Sequence, residues 1–364
     1  MTVVAAPVML FDHVDAVLRA WSARLGLAAQ SPLIASAFRG LCRESLALPA
    51  GRRPLQASRL NADGTPFQFA LALGAGRPWL QFLAEAAPPG SHGAARLAAA
   101  THAMRHLAAV FGASAELARV RTWLAALAPP ADAAVLADEA GALWLGAGFA
   151  DGVGARMKVY VNARLGPVRT RWDRLEALAA RFGQAGAWRA LAAAMPGCEP
   201  LGAAVVIGAG MPPTARLYLT SQGRELAGAL AFAQQGGGAA FRDLVEQSAS
   251  PLLDGLPTAA MRALVASAAL RAAGLADPKV ELCAPWIFDS DAQAATRCQR
   301  WLGSLGIDAA LYDDALALCA GGAPDAAACV AHAYVGVGLD HGRASASFYF
   351  NPSAGASRAA MSCR

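Results

Sequence analysis

The spacing of apolar residues alternates between two periods along this chain. Over the first fifty residues it is helical: Val14, Leu18 and Trp21 share one face of a segment spanning about 11–27, and a second amphipathic stretch covers 32–47. Beyond them the dominant period falls to two. An extended segment, a turn rich in Gly or Asp and a second extended segment are followed by one or two alanine-rich helices, and this unit repeats. The first unit reads as "LQASRLN", "ADG" and "TPFQFALAL", running on through "PWLQFLAEA", with helices near 93–111 and 115–127. The second has "AAVLADEAGALWLGAGF" and "ARMKVYVNA", with helices near 173–182 and 186–194. The third has "GAAVVIGAG" and "TARLYLTSQ", with helices near 224–234 and 239–248. The fourth places its first strand within 258–272, where "TAAMRALVASAALRAAGL" reads equally as helix, and its second at "PKVELCAPW", before helices near 290–305 and 309–319. The last unit is "AAACVAHAYVGVGL" and "ASASFYFNP", joined by "DHGR".

Strand hairpins separated by helices predict an antiparallel sheet with its helices on one side. Ten such strands can close on themselves, which removes the sheet edges and leaves a lumen wide enough for ligands. The expected fold is therefore α+β: a closed ten-stranded antiparallel β-barrel surrounded by helices, one domain over 1–364 with the helices of 1–50 packed on it.

The second strands share a grammar. Lys158, Arg216 and Lys279 recur at intervals of about sixty residues, and two positions after each stands Tyr160, Tyr218 or Glu281. A spacing of two puts each pair on one face of its strand. An apolar core on that face would carry a heavy desolvation cost. Val159, Val161, Leu217, Leu219, Val280 and Leu282 supply the opposite, helix-covered face, so the polar face points into a lumen or into solvent. Tyrosine favours strands for packing reasons alone, which explains any one of Tyr160, Tyr218, Tyr334 and Tyr349 but not the cations beside them. Closure of the sheet decides between lumen and solvent.

Composition narrows the partners. The chain of 364 residues is 56% hydrophobic, carries a formal charge of +5 and has a pI near 9.0. Such a balance fits an anionic ligand or nucleic acid, but no run of five basic residues occurs, so a scattered or internal positive site is expected and no nucleic acid. The N-terminal "MTVVAAPVMLFDHVDAV" lacks a basic segment and reaches Asp12 early, so no signal peptide is expected there. Apolar stretches such as 200–215 are short and broken by Pro212 and Pro213, which argues against a membrane span. Seven cysteines without a C-x-x-C pair predict reduced thiols and a cytoplasmic location.

A closed lumen ringed by cations and aromatic faces suits one chemistry. Diphosphate needs positive charge both to bind and to leave. An allylic cation left behind needs water excluded and electron-rich ring faces nearby, and tyrosine adds a hydroxyl for phosphate oxygens. On "DGTPFQFAL", "MKVYVN", "ARLYLT" and "AYVGVGLDHGRASASFYFNP", over roughly 55–352, the chain resembles the dimethylallyltryptophan synthase group of aromatic prenyltransferases, bacterial indole and peptide prenyltransferases of the ABBA-type fold. The closing hairpin, with Tyr334 and Tyr349 about fifteen residues apart, matches that pattern. The resemblance implies that Lys158, Arg216 and Lys279 hold the diphosphate, and that Tyr160, Tyr218, Tyr334 and Tyr349 shield the prenyl chain. The donor would be dimethylallyl or a longer prenyl diphosphate, and the acceptor an aromatic small molecule or a modified peptide. No cofactor and no metal would be required.

Two positions depart from the pattern. Where the family's "DGTP" turn leads to a glutamate that accepts the indole N–H and takes up a proton, this chain has Gln68, which can accept a hydrogen bond but is no base. Glu281 is the best-placed substitute by strand alternation. Where the next strand usually carries an arginine, this chain has Gln81, with Arg77 as the nearby replacement. Two alternatives stay open: a peptide prenyltransferase on the same barrel, and a non-catalytic barrel binding a hydrophobic anion, which Gln68 favours. Other signals are weaker. "YDDALAL" lacks the third aspartate of a magnesium-binding D-D-x-x-D motif, and "HAMRH" lacks both a neighbouring glutamate and a third ligand for zinc. "GAGMPP" runs into prolines instead of a phosphate-binding helix. The cysteines are expected mostly in alanine-rich helices as small buried thiols, with Cys283 the exception, facing the same way as Glu281.

Overall fold

The computed structural model describes residues 9–352 apart from 50–57, 59, 62, 75, 128–142, 165–169, 196, 222–225, 254–263, 272, 323 and 326. Among these, ten strands form one closed antiparallel barrel: β1 (Phe67–Gly74), β2 (Trp79–Ala84), β3 (Leu143–Ala150), β4 (Gly154–Asn162), β5 (Cys198–Gly208), β6 (Met211–Ser221), β7 (Leu264–Arg271), β8 (Gly274–Cys283), β9 (His332–Asp340) and β10 (Arg343–Phe350). Each strand pairs with its chain neighbours, and β1 closes the ring against β10, with Ala70 opposite Tyr349. The helices are α1 (Leu10–Arg24), α2 (Ser31–Cys42), α3 (Gly93–Val110), α4 (Ser114–Leu127), α5 (Arg171–Arg181), α6 (Ala185–Ala194), α7 (Leu226–Leu253), α8 (Asp291–Ser304) and α9 (Ala310–Ala320).

Alternation along the strands produces the two surfaces. Val159, Val161, Leu217, Leu219, Val280 and Leu282 are buried on the outer face among helix side chains, as their pattern predicts. The N-terminal helices reach this layer through aromatic contacts. Trp21 of α1 packs on Phe69 and Phe350, and Phe38 of α2 meets Phe67 and Phe82 edge-on. Each such buried ring contributes on the order of 1.5–3 kcal/mol from burial alone.

The inner face alternates large with small. Lys158 stands opposite Gly146, Tyr218 opposite Gly202, Glu281 opposite Gly336 and Lys279 opposite Gly338. Glycine at these places is what keeps the lumen open. A Cβ on Gly336 would lie 2.9 Å from Lys279 Cε and 3.0 Å from Glu281 Cγ, and one on Gly202 would lie 2.3 Å from the Val161 carbonyl oxygen.

Two sequence expectations change. The "LQASRLN" segment does not form the first strand: Ser58, Leu60 and Asn61 lie in a loop, while residues 55–57 and 59 fall outside the described set. Its polar residues serve a turn. Asn61 Nδ2 donates to the carbonyls of Thr65 and Phe67, and Asp63 accepts from the Thr65 backbone N–H. The first hairpin is instead β1 with β2 across 75–78. The two helices expected near 224–234 and 239–248 are present as the two halves of α7, which break at Gly238, whose φ of 71° only glycine adopts readily. Of the six described cysteines, only Cys42, Cys298 and Cys319 are helical. The ambiguous fourth unit contains strand β7, its residues 258–263 falling outside the described set.

Candidate active site

All five strand hairpins turn at one end of the barrel, and the strand-to-helix loops lie at the other. The lumen divides into two chambers between these ends. The hairpin-end cavity measures about 490 Å³ and the loop-end cavity about 210 Å³. Tyr160, Tyr218, Glu281 and Tyr349 line both, so they form the layer between them. Lumen, and not bulk solvent, is therefore where the polar faces of β4, β6 and β8 point.

The hairpin-end chamber is cationic. Lys158, Arg216 and Lys279 all line it, joined by Arg156. Lys158 is bonded to the neutral Gln81 side-chain oxygen, and Glu281 is the carboxylate whose charge reaches it. Burial lowers its pKa well below the usual lysine range, and the adjacent Arg156, Lys279 and Arg216 lower it further. Arg216 donates to Ser267 Oγ at 3.0 Å. Lys279 is likewise lowered by burial, opposed by its ion pair with Glu281 at 2.7 Å. These cations are held close together around one paired carboxylate, Glu281, with Asp277 and Asp340 toward the hairpin tips, an arrangement whose net positive charge suits an anion.

Lys279, Glu281 and Tyr349 make a closed triangle. Lys279 Nζ donates to the Tyr349 hydroxyl at 2.7 Å, and that hydroxyl donates to Glu281 Oε1 at 2.5 Å. Burial alone would raise the Glu281 pKa, but Lys279, Tyr349 and Arg216 outweigh it and hold the carboxyl below its ordinary value. The tyrosines stay neutral, since burial pushes Tyr160 up to about 12 and raises Tyr218, Tyr334 and Tyr349. Their rings are close-set: Tyr160 and Tyr218 centroids lie 5.9 Å apart, and Tyr334 meets Tyr349 nearly edge-on at 6.0 Å.

The loop-end chamber has a different chemistry. Gln68, Tyr334, Trp144 and Arg164 line it, and Glu281 is the one carboxylate among its described lining residues. The orientation of Gln68 is fixed by a chain of hydrogen bonds. Asn61 spends both amide hydrogens on backbone carbonyls, so its oxygen faces Gln68. Gln68 Nε2 then donates to that oxygen at 2.9 Å and to the Leu60 carbonyl at 3.0 Å, which leaves its own oxygen for the chamber. Arg164 Nε and Trp144 Nε1 have no hydrogen-bond partner among the described residues. The chamber thus offers the Gln68 oxygen as an acceptor, while these two N–H groups lie buried in its wall.

Arg77, on the β1–β2 hairpin, lines the same cavity as Gln81 and Lys158, and its guanidinium pairs with Asp151 at 2.6 Å in an exposed position. Three lining residues escaped the sequence reading. Arg156 lies two positions before Lys158 on the same face and stacks over Trp79 at 3.5 Å, and strand alternation alone would have found it. Arg164 follows by the same alternation, whereas Trp144 needs the β3–β4 register. Cys283 pairs in register with Tyr334 but lines neither chamber.

Outside the barrel lumen, Asp291, Cys329 and His332 come together in full burial. The Asp291 oxygens already accept the backbone N–H groups of Val330, Ala331 and His332 and the His332 ring at 2.7 Å, while Tyr312 closes the other side of that ring. This is a satisfied polar clip between α8, α9 and the start of β9. Among the described residues no helix is long and apolar enough to cross a membrane.

No protein-family model matches the chain, and no curated protein does either. Solved structures do. The 5-dimethylallyl tryptophan synthase of Streptomyces coelicolor, in complex with DMASPP and Trp, superposes with a TM-score of 0.79 at 20% identity, covering 99% of this chain and 98% of that one. The 6-dimethylallyltryptophan synthase of Micromonospora olivasterospora, also with DMASPP and Trp, gives 0.77 at 20% identity over 95% and 98% of the two chains. AnaPT from Neosartorya fischeri gives 0.72 at 16% identity, covering 95% of each. The barrel, with its repeated helix–hairpin units, is the ABBA prenyltransferase fold.

Proposed function

We propose that this protein transfers a prenyl group, dimethylallyl in the first instance, from its diphosphate to an electron-rich aromatic acceptor of the indole type. The observation that carries the reading is the layer of Tyr160, Tyr218 and Tyr349 set between a cationic chamber and a second chamber lined by Gln68, Trp144 and Tyr334. In this reading Lys158, Arg216 and Lys279, with Arg156, hold the diphosphate and stabilise it as it leaves. The tyrosine faces, aided by Tyr334, shield the allylic cation, each contact worth about 2 kcal/mol where desolvated. The acceptor lies in the loop-end chamber with its N–H on the Gln68 oxygen. Arg77 acts only at the mouth. The basic cluster supplies the charge that a magnesium ion supplies elsewhere, so the reaction is metal-independent. Structural neighbours solved with DMASPP and Trp support both ligands, and the free cysteines support a reducing, cytoplasmic setting.

A barrel that only binds a hydrophobic anion is the competing reading, favoured by Gln68. Incubation with dimethylallyl diphosphate alone, in EDTA, separates the two. An ionising site releases diphosphate and prenyl alcohol slowly, and this release falls in Lys158→Ala. A binding barrel returns the donor intact.

A further inference from the structure

We propose that Glu281 removes the proton that the aromatic acceptor must lose after prenylation. The inference rests on the prenyl-transfer reading above and names its base. Gln68, at the position where a glutamate is expected, has no lone pair basic enough for the task. Glu281 belongs to both chambers, on the boundary where the new bond would form. Its rivals on the hairpin side are occupied or remote: Asp277 is paired with Arg271, and Asp340 is more than half exposed at a hairpin tip. Lys158, an amine depressed by burial and by its cationic neighbours, lines the diphosphate chamber alone.

The two oxygens of Glu281 are unequal. Oε1 carries both contacts, from Tyr349 at 2.5 Å and Lys279 at 2.7 Å. Oε2 has no partner among the described residues and is not sealed from the lumen. The carboxylate is therefore held by one edge and offers the other. Facing it are Lys279 on its own strand, Tyr349 from β10, Arg216 and Tyr218 from β6, and Tyr160 from β4. The positive members of this set keep it ionised at neutral pH, although burial opposes this. A carboxylate of low pKa is base enough, because the ring cation formed on attack is a far stronger acid.

The step balances as follows. The allylic C–O bond breaks and its electron pair leaves with diphosphate. An aromatic carbon gives an electron pair to the allylic cation, forming the C–C bond and leaving the ring positive. The C–H bond at that carbon then breaks, its proton passing to Glu281 Oε2 and its electrons restoring the aromatic ring. The resulting carboxylic acid returns the proton to water as products leave.

The test uses the acceptor that the wild-type protein turns over, with and without deuterium at the prenylated carbon. Glu281→Gln keeps the side-chain volume and a partner for Lys279. It should lower kcat by about 10²–10⁴-fold and acquire a primary isotope effect that wild type lacks, while release of diphosphate from the donor continues. Glu281→Asp should recover part of the rate. Turnover within about threefold of wild type would overturn the proposal. So would a fall in transfer matched by an equal fall in diphosphate release with no isotope effect, because Glu281 would then only position Lys279. Absence of transfer by the wild-type protein to any acceptor would instead bring down the prenyl-transfer reading itself.

Discussion

Replacing Gln68 by glutamate looks like a restoration of the family's acid, and the structure predicts the opposite. In the folded protein the Gln68 amide nitrogen faces two oxygens, the Leu60 carbonyl at 3.0 Å and Asn61 Oδ1 at 2.9 Å. Asn61 cannot turn to offer its hydrogens, because both are bonded to the carbonyls of Thr65 and Phe67. A carboxylate at position 68 would lose two hydrogen bonds and meet two acceptors in a buried site. As the neutral acid it would keep one of the two, at a cost of about 1 kcal/mol; as the anion the cost rises to roughly 3 kcal/mol or more. The folded-state pKa of the new carboxyl is thereby raised above its unfolded value. Between those two values the folded protein binds more protons, so the stability deficit of Gln68→Glu is small at the acid end and grows as pH rises. Urea unfolding of wild type and variant at pH 5 and pH 8 measures this. A variant equal to wild type at pH 8, or a deficit that does not change with pH, would refute the assigned orientation of Gln68 and Asn61.

Other perturbations follow from the same geometry. Lys158→Met removes a buried cation whose folded pKa is lowered, chiefly by burial. The unfolded chain binds the extra proton between that pKa and the unfolded value, so wild-type stability rises with pH across this window and the rise should shrink in the variant. Without ligand the variant should melt higher at pH 7 and bind the prenyl diphosphate about 10- to 100-fold more weakly, as for a lost charge-assisted hydrogen bond; a lower melting temperature would contradict the lumen electrostatics. Gly336→Ala pushes on the flexible Lys279 and Glu281 side chains, so it should reduce turnover with little loss of stability. Gly202→Ala meets the Val161 backbone oxygen at 2.3 Å and should cost about 1–3 kcal/mol in unfolding experiments. Reversal of that order would contradict the inner-face packing.

Much of this was legible in the chain because period two carries so much information. The cation and its partner two positions on, as in Lys158 and Tyr160, place themselves on one face, and Val159 and Val161 place the other under the helices. The hairpin turn "DHGR" and the β9–β10 pairing of Tyr334 with Tyr349 were equally readable. What escaped depends on long-range contacts. The apolar run of β1 matches an upstream partner as well as a downstream one, so nothing local rejects "LQASRLN" as a strand; only the hydrogen bonds of Asn61 and Asp63 make it a turn. Arg77 and Arg156 both line the cavity that Lys158 enters, yet the first pairs with Asp151 in an exposed position and the second stacks on Trp79. The unequal oxygens of Glu281 come from Lys279 on its own strand and from Tyr349 on β10, two strands away and 68 residues on in sequence.

Metal-independent prenyl transfer is tested directly by one assay. The protein is incubated in EDTA with dimethylallyl diphosphate and a panel of tryptophan, tyrosine, indole derivatives and aromatic cyclic peptides, and products are read by mass. The structure predicts the gain of a single C₅H₈ unit on an indole-type acceptor, lost in Tyr349→Phe or Lys158→Ala. Intact donor and unmodified acceptors throughout, with the diphosphate bound, would contradict it and leave the barrel as a binding protein.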